Sequence, residues 1–139
     1  MAGYSGKPVV QKLGIKPGFC IFTVGLSCAY DEIVGELPND VAIRSRLKAP
    51  LDMVHLFATE LRGLAAKLRS YRAAIASDGM IWVSWPKKAS GVATDLTENI
   101  IRDTALPLGL VDIKVCAIDE TWSGLKFVIR KDQRAKRPA

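Results

Sequence analysis

Histidine is almost absent from this chain, with His55 standing alone among 139 residues. A Ser-His-Asp arrangement would therefore have to use His55 as its base. That residue lies inside the apolar run Met53-Val54-His55-Leu56-Phe57, where a buried, hydrogen-bonded histidine is the expectation. Cysteine is also scarce. Cys20, Cys28 and Cys116 are an odd number with no secretion signal ahead of them, so a disulfide framework is not expected and the thiols should be reduced. No pair of Cys or His residues has the two-to-four-residue spacing of a zinc site, and no metal is expected. Long apolar runs are missing: residues 19–30 carry no charge before Asp31, but the stretch is too short to cross a bilayer and contains Gly25, Ser27 and Cys28. The first seven residues lack an apolar signal core, and Ala2 stands where a myristoylation signal needs Gly. A cytoplasmic protein without a membrane partner is the expectation.

What is present is a globular composition, with 49% hydrophobic and 24% charged residues. Such a chain buries about two thirds of its unfolded surface, enough for one core. Residues 1–130 therefore read as one domain and residues 131–139 as a basic flexible tail. The net charge of +6 invites a nucleic-acid reading until its distribution is considered. Arg130, Lys131, Arg134, Lys136 and Arg137, against Asp132 alone, hold most of the excess at the C-terminal end. A nucleic-acid partner is not expected, although Arg62, Arg69 and Arg72 on one helix, together with the tail, form the alternative.

The order of elements follows from periodicity. Short helices are predicted at 9–13, closed by Gly14, and at 29–37, stopped by Pro38-Asn39-Asp40. Leu61, Leu64, Leu68, Tyr71 and Ile75 recur at spacings of three and four and predict an amphipathic helix over 60–75. A fourth helix begins at Thr94 or Asp95, with Glu98 three residues after Asp95 as in a capping box. Strands are predicted at 19–24, 41–43, 52–58, 80–85, 111–117 and 125–130, the last two as an exposed hairpin. Ser77-Asp78-Gly79 reads as a turn. Strand and helix alternate until that hairpin, which predicts an α/β, three-layer, Rossmann-like domain. Its sheet of about six strands is mostly parallel, with an antiparallel strand at its C-terminal end.

Two segments, residues 81–98 (opening Ile81-Trp82-Val83-Ser84-Trp85-Pro86-Lys87-Lys88) and residues 109–125 (ending Asp119-Glu120-Thr121-Trp122-Ser123-Gly124-Leu125), join Ala2-Gly3-Tyr4-Ser5-Gly6 and Lys12-Leu13-Gly14-Ile15. Together they resemble a family of short bacterial proteins catalogued only as a domain of unknown function. That resemblance implies a Rossmann-like domain and no assigned activity. The chain also resembles a shortened class I methyltransferase, whose last elements follow the same order. In such enzymes the first strand ends in an acid and enters a glycine-rich loop at the S-adenosylmethionine site. Here Thr23 takes the acid's place, Gly25 is kept, and Ser27 and Ala29 stand where further glycines belong. Gly25 and Ser27 thus read as a vestigial cofactor loop. Arg44 follows Ile43 where a ribose-binding acid is usual, and the span from Ile43 to Asp52 has no room for the customary helix and strand. No cofactor is expected on this reading, with S-adenosylmethionine as the alternative.

Ligands of open parallel sheets bind beyond the carboxyl ends of the strands. Two loops there hold the candidate ligand-binding residues. Lys87, Lys88, Ser90 and Gly91 precede a helix N-terminus, where cations and free N–H groups suit an anion, although Asp95 and Glu98 already supply negative charge. Asp119, Glu120, Trp122 and Ser123 would form the opposing wall, each with an alternative role as hairpin-turn residue or core lid. The segment lacks the Walker pattern, and no residue is assigned as catalytic. The expectation is a non-enzymatic or weakly catalytic module for a small anionic molecule or protein partner. A divergent methyltransferase is the alternative.

Overall fold

The computed structural model describes residues 7–134. Helix α1 (Val9–Leu13) ends at Gly14, whose φ of 79° lets the chain turn into β1 (Cys20–Val24). Helix α2 (Tyr30–Val34) is shorter than predicted because Gly35, at φ 93°, closes it three residues before Pro38. Then follow β2 (Ala42–Arg44), β3 (Leu51–Phe57), α3 (Leu64–Ala74), β4 (Ile75–Pro86), α4 (Glu98–Ala105), β5 (Leu110–Ala117) and β6 (Trp122–Ile129). The six strands form one sheet in the order β2-β1-β3-β4-β6-β5. Strands β1 to β4 run parallel, and β6 is antiparallel to both neighbours, so the mixed sheet predicted from sequence is present.

Four expectations need correction. Ser77-Asp78-Gly79 is not a turn between elements but a bulge within β4: Leu51 pairs with Ile75 and Met53 with Met80, which leaves extra residues on β4. A Cβ on Gly79 would stand 2.9 Å from the Ala76 carbonyl oxygen, so the bulge folds back too tightly for a side chain. Ile75 consequently belongs to the strand rather than to helix α3. Strand β6 starts at Trp122, not 125, and lies inside the sheet between β4 and β5, while β5 is the exposed edge. Asp95 does not cap α4. The N-cap is Thr97, whose Oγ1 accepts from the Ile100 N–H at 3.2 Å, and Glu98 pairs with Arg102 one turn later. At the C-terminal end, Lys131–Gln133 form a 3-10 turn in which the Gln133 side chain accepts from Arg72; residues 135–139 of the predicted tail lie outside the described residues.

Each face of the sheet packs its own core. Under α3 and α4 lie Val54, Leu56, Leu64, Leu68, Ile81, Val83, Trp85 and Phe127; under α1 and α2 lie Leu13, Ile21, Tyr30, Met53, Phe57, Trp82 and Ile118. Trp82 and Trp85 fall on opposite faces, as their spacing predicts, and the Trp82 indole N–H donates to the Leu13 carbonyl at 3.1 Å. That bond ties the C-terminal end of α1 to the sheet. The β2-to-β3 crossover takes only residues 45–50, where parallel crossovers ordinarily need a helix. No helix among the described residues is long and apolar enough to cross a membrane.

Candidate functional site

In the sheet order, β1 leads outward to β2 whereas β3 leads the other way to β4, so the order reverses between β1 and β3. The chain leaves β1 at that reversal through Gly25. At φ 94° its missing Cβ would stand 2.0 Å from the Phe57 carbonyl oxygen, an approach that only glycine permits. Ser27 and Cys28 beyond it are exposed, and the Ala29 N–H is held by the Glu32 carboxylate at 2.8 Å. Beside this loop lies a hollow of about 370 Å³ lined by Thr23, Cys28, Ala29, Tyr30, Asp31, Leu37 and Ile43. Arg44 does not enter it: its Nε donates to Cys20 Sγ at 3.1 Å, which turns the guanidinium toward the start of β1.

The loop after β4 builds a larger cavity of about 520 Å³, bordered by Trp85, Lys88, Gly91, Asp95 and Glu98 among others. It is latched to the loop after β3. Thr94 Oγ1 donates to the Thr59 carbonyl at 2.6 Å, and Asp95 Oδ1 accepts from the Leu61 N–H at 2.8 Å. Ser90 is spent internally, donating to the Lys87 carbonyl at 2.6 Å and accepting from the Val92 N–H. Of the predicted candidates, the cavity therefore gathers Lys88, Gly91 and Asp95 but not Lys87 or Ser90. Its border carries Lys88 and Asp95, with Glu98 already paired to Arg102.

Asp119, Glu120, Trp122 and Ser123 do not border this cavity. Asp119 Oδ1 accepts from the Thr121 and Trp122 N–H groups at 2.8 and 2.7 Å, so this carboxylate shapes its own turn. The Lys87 N–H joins the same turn by donating to the Thr121 carbonyl at 2.8 Å. Trp122 packs edge-on against Phe57, ring centroids 5.2 Å apart, in the core under α1 and α2. Trp85 and Leu96, which border the cavity, belong to the opposite core. Glu120 is exposed and Ser123 half-buried, and neither borders that cavity.

Sequence reasoning found the buried His55 but not its partners. His55 Nδ1 meets Tyr30 Oη at 2.7 Å and Nε2 meets Ser84 Oγ at 2.7 Å, all three buried. Phe57 stacks on the imidazole at 4.2 Å. Burial lowers the histidine to about 3 and raises the Tyr30 phenol, so both remain neutral at physiological pH. In the neutral ring one nitrogen donates and the other accepts, which satisfies all three groups. The signal was Ser84, a polar residue inside the apolar run Ile81-Trp82-Val83-Ser84-Trp85. Among the described residues, no three or more His, Cys, Asp or Glu side chains are arranged to hold a metal ion.

Solved structures share this architecture. A TehB-like SAM-dependent methyltransferase from Corynebacterium glutamicum superposes with a TM-score of 0.57 at 10% identity, over 87% of this chain and 85% of the other. The chain shares the Rossmann-like fold of this neighbour. The Burkholderia thailandensis 1,6-didemethyltoxoflavin-N1-methyltransferase, solved with 1,6-didemethyltoxoflavin and S-adenosylhomocysteine, gives 0.58 at 10% identity over 88% and 75%. An O-methyltransferase of neocarzinostatin biosynthesis, solved with S-adenosyl-L-homocysteine and 1,4-dihydroxy-2-naphthoic acid, gives 0.51 at 19% identity. That match covers 64% of this chain but only 33% of the enzyme. No protein-family model and no curated protein matches the chain. At these identities the likeness concerns the fold alone.

Proposed function

We propose that this chain binds S-adenosylmethionine where the strand order reverses, and that it is a minimal methyltransferase. The observation that carries the reading is Gly25, pressed against the Phe57 carbonyl at the crevice where ligands of this sheet type bind. It is supported by two neighbours of the same fold that were solved with S-adenosylhomocysteine. The residues present could hold the group although Thr23 and Arg44 stand where acids are usual and Ser27 and Ala29 where glycines are. Arg44 replaces the usual acid at the end of β2 and is turned away to Cys20, whereas Asp31 and Thr23 border the adjoining hollow and would hold the ribose hydroxyls. Leu37 and Ile43 would cover the adenine. When bound, the cofactor supplies an electrophilic methyl group on a sulfonium.

The chain's own contribution is positioning. The Thr94 and Asp95 latches fix the loop that borders the 520 Å³ cavity to the loop after β3. His55 is not the base: it is fully buried and both its nitrogens are engaged.

Isothermal titration with S-adenosylhomocysteine tests the cofactor reading. Binding should weaken at least tenfold in Asp31→Asn and persist in Lys88→Ala. Absence of binding at millimolar ligand, or equal affinity in wild type and Asp31→Asn, contradicts it.

A further inference from the structure

The crossover from β2 to β3 lays no helix over the sheet, and residues 45–50 make the return alone. From the end of β2 onward, Arg44, Arg46 and Lys48 stand at every second position, all exposed. With Cys20 and Ser45 they border a hollow of about 370 Å³ at the start of β1. No carboxylate borders it. In this it differs from the hollow beside Gly25, which has Asp31, and from the cavity before α4, which has Asp95 and Glu98.

Arg44 is held in place for this hollow. Its Nε donates to Cys20 Sγ at 3.1 Å, which aims the guanidinium away from the cofactor crevice and leaves the two Nη groups to other partners. Among the described residues, neither Arg46 nor Lys48 forms an ion pair. The acid that follows along the chain, Asp52, accepts from the Cys20 N–H at 2.8 Å and does not border the hollow. Counting its charge in full, three cations against one carboxylate still leave an excess of two. Like charges gathered around one hollow repel, and an anion relieves that repulsion.

We propose that this hollow is a binding site for the diphosphate group of a small ligand, held by Arg44, Arg46 and Lys48. Guanidinium forks match phosphate oxygens in pairs, and a lysine ammonium serves phosphate as a point charge. A diphosphate spreads its charge over two phosphoryl groups and so reaches more of the three cations than one phosphate does. The apolar border consists of Ala49 and Pro50, with no aromatic ring to stack a base, so recognition rests on the phosphates rather than on what they carry. Cys20 marks the amino end of β1, whereas the cofactor crevice lies at its carboxyl end, and neither reading requires the other.

Titration calorimetry at matched ionic strength tests the proposal, with inorganic diphosphate, uridine diphosphate and sulfate added to wild type, Arg46→Gln, Lys48→Met and Lys88→Ala. All three substituted residues are exposed, so the variants should melt at the wild-type temperature. Both diphosphates should bind wild type and Lys88→Ala alike, and Arg46→Gln and Lys48→Met at least tenfold more weakly. Sulfate should bind wild type at least tenfold more weakly than inorganic diphosphate does. Tighter binding of uridine diphosphate identifies the ligand as a diphosphate ester, and tighter binding of inorganic diphosphate identifies it as the free anion. No binding to wild type at millimolar diphosphate, equal affinity for sulfate, equal weakening in Lys88→Ala, or displacement of diphosphate by S-adenosylhomocysteine overturns the proposal.

Discussion

Lowering the pH from 7.5 to 5.0 should cost this protein stability through a single side chain. His55 titrates near 3 when folded and, like any exposed histidine, near 6.5 when unfolded. Between those values the unfolded chain takes up a proton that the native state refuses. The histidine's contribution is therefore complete above pH 6.5 and is lost progressively as pH falls toward 3. Each pH unit in that window costs about 1.4 kcal/mol, so the drop to pH 5.0 costs about 2 kcal/mol. Urea denaturation at the two pH values reads this as a lower midpoint with an unchanged slope. His55→Gln supplies the control. It should be less stable than wild type at pH 7.5 by about 2 kcal/mol, because Tyr30 and Ser84 lose well-placed partners, but it should lose far less between pH 7.5 and 5.0. The same pH dependence in both proteins would show that His55 is not held neutral and would refute the reasoning.

Other outcomes follow from the same contacts. Gly25→Ala should reduce stability by about 3 kcal/mol or more, measured by thermal unfolding, since φ is 94° and the added carbon meets a backbone oxygen. Asp119→Ala should cost about 1 to 2 kcal/mol in urea unfolding, because two backbone N–H groups lose their acceptor, and should leave S-adenosylhomocysteine affinity unchanged. Trp122→Ala should destabilise by about 2 kcal/mol through lost packing on Phe57, again without an effect on that affinity.

Much of the fold was legible because it rests on local chemistry. Gly14 ends α1 where the sequence places it, the alternation in β5 marks an edge, and the apolar run of β3 marks a strand enclosed by β1 and β4. The errors arose where a tertiary contact outweighed a local preference. Asp95 has the chemistry of a helix cap, but the Leu61 N–H claims it, and Thr97 caps α4 instead. Ser77-Asp78-Gly79 has the composition of a turn, but pairing with β3 on either side absorbs it as a bulge. The candidate site was less legible. Loops rich in Lys, Ser, Asp and Trp attracted notice, yet Asp119 and Ser90 are occupied in shaping their own turns.

The central claim is that a sulfonium nucleoside cofactor sits between the carboxyl ends of β1 and β3. Proton–nitrogen correlation spectra recorded during titration with S-adenosylhomocysteine address it most directly. The account predicts saturable shifts concentrated in residues 23–31 and 57–59, with Gly14, Lys16 and Lys126 unmoved. Spectra unchanged at millimolar ligand, or shifts confined to other parts of the sheet, would contradict it.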